Sequence, residues 1–187
     1  MKSKYFSEFL GTAFLFCTVV GSGIMGQNLS SNDSLTLLAN TLATVFALYF
    51  LITVFGDHSS HFNPVVSMVM LVRKEITTQV CTVFIILQIS GAILGVMLAN
   101  YIFELDPVYF SEKPRSGTHL FVSEILATFG LLMVILLSSK EKVAVTVAAY
   151  IGAAYWFTSS TSFAMFWGSA NPLCTTLQFA GKTGQVS

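Results

Sequence analysis

The sequence predicts an all-α polytopic membrane protein, an inverted repeat of transmembrane helices with two re-entrant half-helices. Three observations predict it. First, the 187 residues are 54% hydrophobic and only 10% charged, with a mean hydropathy of +0.74, whereas soluble domains carry about 25% charged residues. Second, the apolar residues gather in runs of span length. Third, Asn63-Pro64-Val65 and Asn171-Pro172-Leu173 place a helix-start signal in each half of this apolar background. An Asn side chain caps orphan N–H groups, and Pro at the first helical position has no N–H to orphan. A single Asn-Pro pair is also compatible with a plain helix cap in a loop. Two such starts point to half-helices whose N-termini meet inside a bilayer, forming a pore or a binding site.

A span needs about 20 apolar residues. The first runs from Phe6 to Met25 and the second from Leu35 to Phe55. The third, Thr77 to Phe103, is longer than needed and is expected to tilt. The fourth is Leu120 to Leu137, and the fifth runs from Val143 to about Ala164. Gly26 to Ser34, Glu104 to His119 and Ser138 to Lys142 are the polar connections. Asn63 to Val72 is too short to span: its length as a helix is about 15 Å, half of the roughly 30 Å hydrocarbon core. Arg73-Lys74-Glu75 closes it at a water interface. The segment is therefore expected to reach the midplane and return, which is tolerated only where the backbone is buried in protein or lines a wet cavity.

Charge sets the orientation. Lys2, Lys4, Arg73, Lys74, Lys140 and Lys142 fall on one side under this topology, and Lys113, Arg115 and Lys182 on the other with Glu104, Asp106 and Glu112. The basic side is cytoplasmic by the positive-inside rule, and so is the N-terminus. Lys2 and Lys4 before an apolar run could also open a signal peptide, but Glu8 interrupts the run and further spans follow. The net charge is zero, so no nucleic-acid partner is expected. Cys17, Cys81 and Cys174 read as small buried hydrophobes. Asn28-Leu29-Ser30 and Asn32-Asp33-Ser34 have the form of glycosylation acceptors. Neither Gly-x-Ser-x-Gly, His-Glu-x-x-His nor a phosphate-binding Gly-rich loop is present, so no enzyme, cofactor or metal site is expected.

The chain also repeats. Ser7-Glu8-Phe9-Leu10-Gly11-Thr12 is similar to Ser123-Glu124-Ile125-Leu126-Ala127-Thr128, and Leu15 then falls on Leu131. Ala39, Thr41 and Ala43 fall on Ala144, Thr146 and Ala148 after a shorter connection. One membrane domain, 1–187, therefore divides into repeat one, 1–103, with its half-helix at 63–72, and repeat two, 119–187, with a half-helix from 171. Three spans per repeat put the second upside down relative to the first and bring the half-helices in from opposite faces.

With these residues the chain resembles the major intrinsic proteins, the aquaporins and aquaglyceroporins. Ser-His-Phe-Asn-Pro-Val-Val-Ser at 60–67 is similar to the family's first signature. Glu8, Glu124, Gln88-Ile89-Ser90-Gly91-Ala92 and Asn171-Pro172 match their expected places. Tyr155 to Ala164 resembles a run in a bacterial subgroup, some of whose members pass arsenite. The resemblance implies passive diffusion of water or small uncharged solutes through a pore in the lipid bilayer, in a homo-tetramer. Two half-helix N-termini, each about half a positive charge, would repel cations at mid-membrane. The Asn63 and Asn171 amides would donate to a passing water's oxygen and break the proton wire. Glu8 and Glu124 would accept backbone N–H bonds from the loops before the half-helices, with Gln88 beside them. A proton relay through these carboxylates, as in a coupled transporter, is the alternative. His61 reads as a histidine bonded to loop carbonyls, with a pore-lining pH gate as the alternative. Asp57 and His58 share its loop, and His58-x-x-His61 alone is too sparse for a metal site. Gly91 and Gly95 read as helix-packing residues, with Gly11 and Ala127 at matching places.

Three departures from the family pattern stand out. Cys174 occupies the place where water-selective members carry an Arg, so small neutral solutes become more plausible cargo. Met165 to Ala170 intervenes before the second Asn-Pro pair, which displaces the second half-helix. The stretch after Pro172, with Lys182, Thr183, Gly184 and Gln185, is too short and polar for a sixth span. On that reading the chain is truncated and is expected to conduct weakly, or to assemble without conducting.

Overall fold

The computed structural model describes residues 2–106 and 118–158. They form six helices and, among the described residues, no strand: α1 (Lys2–Leu29), α2 (Asp33–Phe55), α3 (Pro64–Val72), α4 (Thr78–Ile102), α5 (Thr118–Leu137) and α6 (Val143–Phe157). The protein is all-α and polytopic, as its apolar runs predict. Three helices are long and apolar enough to cross a membrane, within Ser3–Leu29, Asp33–Phe55 and Thr78–Ile102. Two shorter apolar helical stretches follow, Phe121–Leu137 and Val143–Phe157. The fifth expected span is the one that differs most. Its helix stops at Phe157, because Thr158 turns extended (φ −83°, ψ 139°). The Thr158 N–H and hydroxyl both donate to the Ala154 carbonyl, closing the last turn. Residues 159–164, the rest of that expected span, lie outside the described residues.

Local chemistry sets the other ends. The Asn32 side chain accepts from the N–H groups of Ser34 and Leu35 and starts α2. The Thr77 hydroxyl accepts from the Val80 N–H and starts α4. Both satisfy donors that the first helical turn leaves orphaned.

The packing gives each helix a direction. Tyr5 meets Phe84 edge-on at 5.8 Å, and Gly91 and Gly95 lie against the backbone of Phe9 and Ala13, so α1 and α4 run parallel. The Asn40 amide donates to the Val19 carbonyl and Ser22 hydroxyl, and Thr36 packs on Gly26, so α2 returns antiparallel to α1. Thr44 bonds Tyr155 at 3.1 Å, while Lys140 pairs with Asp57 at 3.1 Å, so α2 and α6 are antiparallel. Tyr150 donates to the Ala127 carbonyl across α5 and α6. One end of the bundle therefore holds the starts of α1, α4 and α6 and the ends of α2, α3 and α5. Lys2, Lys4, Arg73, Lys74, Lys140 and Lys142, every Lys and Arg among the described residues, lie at that end. Asp33, Glu104 and Asp106 lie at the other.

Polarity is arranged inside out. Ser7, Glu8, Thr12, Asn40, Thr44, Ser67 and Gln88 are buried, while Phe14, Phe46, Ile86 and Phe129 are more than half exposed. Water would penalise that surface, whereas lipid accepts it and drives polar groups to partner one another inside. The protein is a membrane protein.

Candidate functional site

The half-helix α3 is the centre of the site. Asn63 precedes it in extended conformation (φ −153°, ψ 126°), and its Oδ1 accepts from the Val65 N–H at 2.8 Å. Pro64 takes the first helical position. The cap commits the Asn63 carbonyl oxygen to the helix, and the amide NH2 takes no part in it. Pro64 and Val65 are half-buried, and Asn63 is buried.

Seven residues, Gly56 to Phe62, carry the chain from the end of α2 back to this cap. Their shape is held by Glu8, which is fully buried on α1. Glu8 Oε1 accepts from the Ser59 hydroxyl and from the His61 N–H at 2.8 Å. Its Oε2 accepts from the Phe62 N–H at 2.9 Å and from Gln88 Nε2 at 2.7 Å. A carboxylate offers about four acceptor sites. All are filled, and two loop amides that lipid could not satisfy are paired.

Gln88, fully buried on α4, also donates to Ser67 Oγ at 3.0 Å, and Ser67 Oγ lies 3.0 Å from His61 Nδ1. The His61 ring stands edge-on to Phe84 at 5.4 Å. Glu8, Gln88, Ser67 and His61 thus close a ring of hydrogen bonds across α1, α4, α3 and the loop. Phe62 sits at φ 47°, a left-handed conformation that is strained for a bulky residue. Its ring packs over Gly11, where any Cβ would collide with it, and edge-on to Phe55 at 6.3 Å. Gly11 therefore makes room for a loop aromatic rather than for a neighbouring helix.

These contacts fix the depth of the tip. Phe62 lies beside Gly11, about 14 Å along α1, and Ser67 bonds Gln88, about 15 Å along α4. Gln88 is two residues, about 3 Å, from the midpoint of α4. The N-terminus of α3, with its partial positive charge, thus stands near the middle of the bundle.

The structure brings Glu8, Gln88, His61, Asn63, Pro64 and Val65 together. His58 and Asp57 are exposed, and Asp57 pairs with Lys140. Glu124 is half-buried on α5, the seventh residue of its helix as Glu8 is of α1. Asn171, Pro172, Leu173 and Cys174 lie outside the described residues. Sequence reasoning passed over Ser59 and gave Phe62 and Ser67 no role beyond their place in the 60–67 signature. For Ser67 a signal was present: a hydroxyl in an apolar half-helix needs a partner.

Comparison with known proteins places this arrangement. The major intrinsic protein family model matches residues 1–173. The chain is 46% identical over 162 residues to a Rhizobium meliloti protein named aquaglyceroporin AqpS, covering 84% of this chain and 70% of that one. It is 34% identical over 141 residues to the glycerol uptake facilitator protein-like 6 of Lactiplantibacillus plantarum, covering 71% of this chain and 62% of that one. A capped half-helix buried in an all-α membrane bundle, and a family match over nearly the whole sequence, lead to one conclusion: the chain belongs to the major intrinsic protein family.

Proposed function

We propose that this chain is a passive membrane channel for water and small neutral solutes of the glycerol type. The observation that carries the reading is α3: a half-helix whose Asn63-capped N-terminus stands near mid-membrane, on a loop held by one buried carboxylate. A fixed donor and a helix dipole at that depth favour polar, uncharged molecules and oppose cations. The proton-coupled alternative is less well supported, because all four hydrogen bonds to Glu8 go to holding the loop and α4.

Several finer points complete the proposal. Cys174, in the place of a constricting Arg, and the names of the two relatives support glycerol-sized cargo over strict water selectivity. Asn171 is assigned the same donor role as Asn63, with Pro172 and Leu173 continuing its helix start, and Glu124 the same supporting role as Glu8. The basic end of the bundle faces the cytoplasm of a cell membrane by the positive-inside rule, with the N-terminus there. The exposed apolar faces are covered by lipid and by neighbouring copies in a homo-tetramer.

Stopped-flow swelling of proteoliposomes tests the function. Water and glycerol should both equilibrate faster than through empty liposomes, with no change when a proton gradient is imposed. Flux that follows the gradient, or rates equal to those of empty liposomes, would refute the proposal.

A further inference from the structure

Ser67 lies where three donor–acceptor demands meet, and counting protons there leaves one solution. Gln88 faces a carboxylate that can only accept, so its nitrogen points to Glu8, and the second hydrogen of the same nitrogen points to Ser67 Oγ. Ser67 Oγ is therefore already an acceptor. It has one hydrogen of its own, is fully buried, and besides the Gln88 bond its hydroxyl meets, among the described residues, His61 Nδ1 at 3.0 Å. If His61 carried its proton on Nδ1, two donors would converge on the Ser67 oxygen. The Ser67 hydroxyl would then be a buried donor with nothing to donate to. If Ser67 donates instead, every hydrogen in the ring has an acceptor.

We propose that Ser67 is a positioning residue for conduction: its hydroxyl accepts from Gln88 and donates to His61 Nδ1, holding the imidazole as the neutral Nε2–H tautomer. The one lone pair of the ring is thereby engaged, and its N–H points away from α3. The loop residue His61, the half-helix and α4 become one body, and the T-shaped contact with Phe84 packs against the ring. The depth of Asn63, two residues after His61, is then set by a side-chain bond as well as by the Glu8 amide contacts. The consequence for conduction rests on the function proposed above; the tautomer does not.

The test is solid-state NMR of the full chain in lipid bilayers with 15N-labelled histidine, beside the swelling assay. The wild-type His61 should show a single neutral species, protonated on Nε2 and bare on Nδ1. Ser67→Ala should shift the tautomer ratio by about tenfold, the worth of one buried hydrogen bond, so that both forms appear. Ser67→Thr, which keeps the hydroxyl, should restore the single species, and water permeability should fall in the Ala variant and return in the Thr variant. A wild-type His61 protonated on Nδ1, or a spectrum indifferent to Ser67→Ala, would overturn the assignment, and the wild-type measurement needs no variant to fold. A changed tautomer with unchanged permeability would overturn the positioning role. A wild-type chain that shows the single tautomer but no flux would refute the proposed function and leave the tautomer standing.

Discussion

Glu8 is buried by fourfold hydrogen bonding from uncharged groups. Hydrogen bonds to a charged group contribute about 1.5–3 kcal/mol each, and orphaned buried donors cost similar amounts. Glu8→Gln should therefore lower thermal stability in detergent by about 2 kcal/mol, since its NH2 must face at least one donor. Glu8→Ala should cost more, because two loop amides are then stranded; fluorescence-detected size-exclusion after heating reads both. Lys74 stands at φ 62° and Glu104 at φ 58°, each in a left-handed turn that closes a helix end. At Lys74, exposed and just past α3, Lys74→Gly should raise stability by about 0.5–1 kcal/mol in the same assay, as the left-handed strain is released. Phe62, although left-handed too, should behave in the opposite way. Its ring is buried over Gly11 and against Phe55, so Phe62→Gly loses more packing than it relieves strain.

Among the elements, the seam between α1 and α4 is the tightest. A Cβ at Gly91 would meet the Phe9 carbonyl oxygen, and one at Gly95 the Ala13 carbonyl oxygen. Both neighbours are backbone, so neither can rotate out of the way. Lipid gives no hydrophobic drive between helices, and close van der Waals approach has to supply the association. Gly95→Leu should therefore push the helices apart and cost about 2 kcal/mol or more, visible as loss of the folded peak on size-exclusion. Gly130→Leu should do less harm, since its obstacle is the flexible end of the Tyr150 side chain, although it would break the bond from Tyr150 to the Ala127 carbonyl. α3 forms a second kind of element, held by its cap and its loop more than by its length. Only nine residues long, it is too short to be stable alone in water. Its cap at Asn63 and the apolar cluster of Phe62, Val66 and Met70 with Leu48, Leu51 and Ile52 hold it.

For the whole molecule, the sorting of charge and the inside-out polarity make one prediction. Single cysteines introduced at exposed positions 74 and 141 should label from the cytoplasmic side of intact cells only after permeabilisation, and one at position 104 without it. The reverse pattern would overturn the orientation.

The amino-acid sequence by itself determined the class and the main punctuation of this protein. Its charge deficit demands lipid, its apolar runs demand helices, and Asn63-Pro64 starts a short helix that Arg73 ends at water; α3 spans Pro64–Val72. Those features are local, written in residue type and spacing, and need no partner from elsewhere in the chain. Only the tertiary structure decided who satisfies whom. Glu8 meets the His61 and Phe62 amides across more than fifty residues and Gln88 across eighty, the Gly11 gap is filled by a loop aromatic, and Ser67 closes a ring whose other members lie on three different segments. No periodicity encodes those pairings, because a hydrogen bond between distant residues depends on helix register and depth, which packing alone sets.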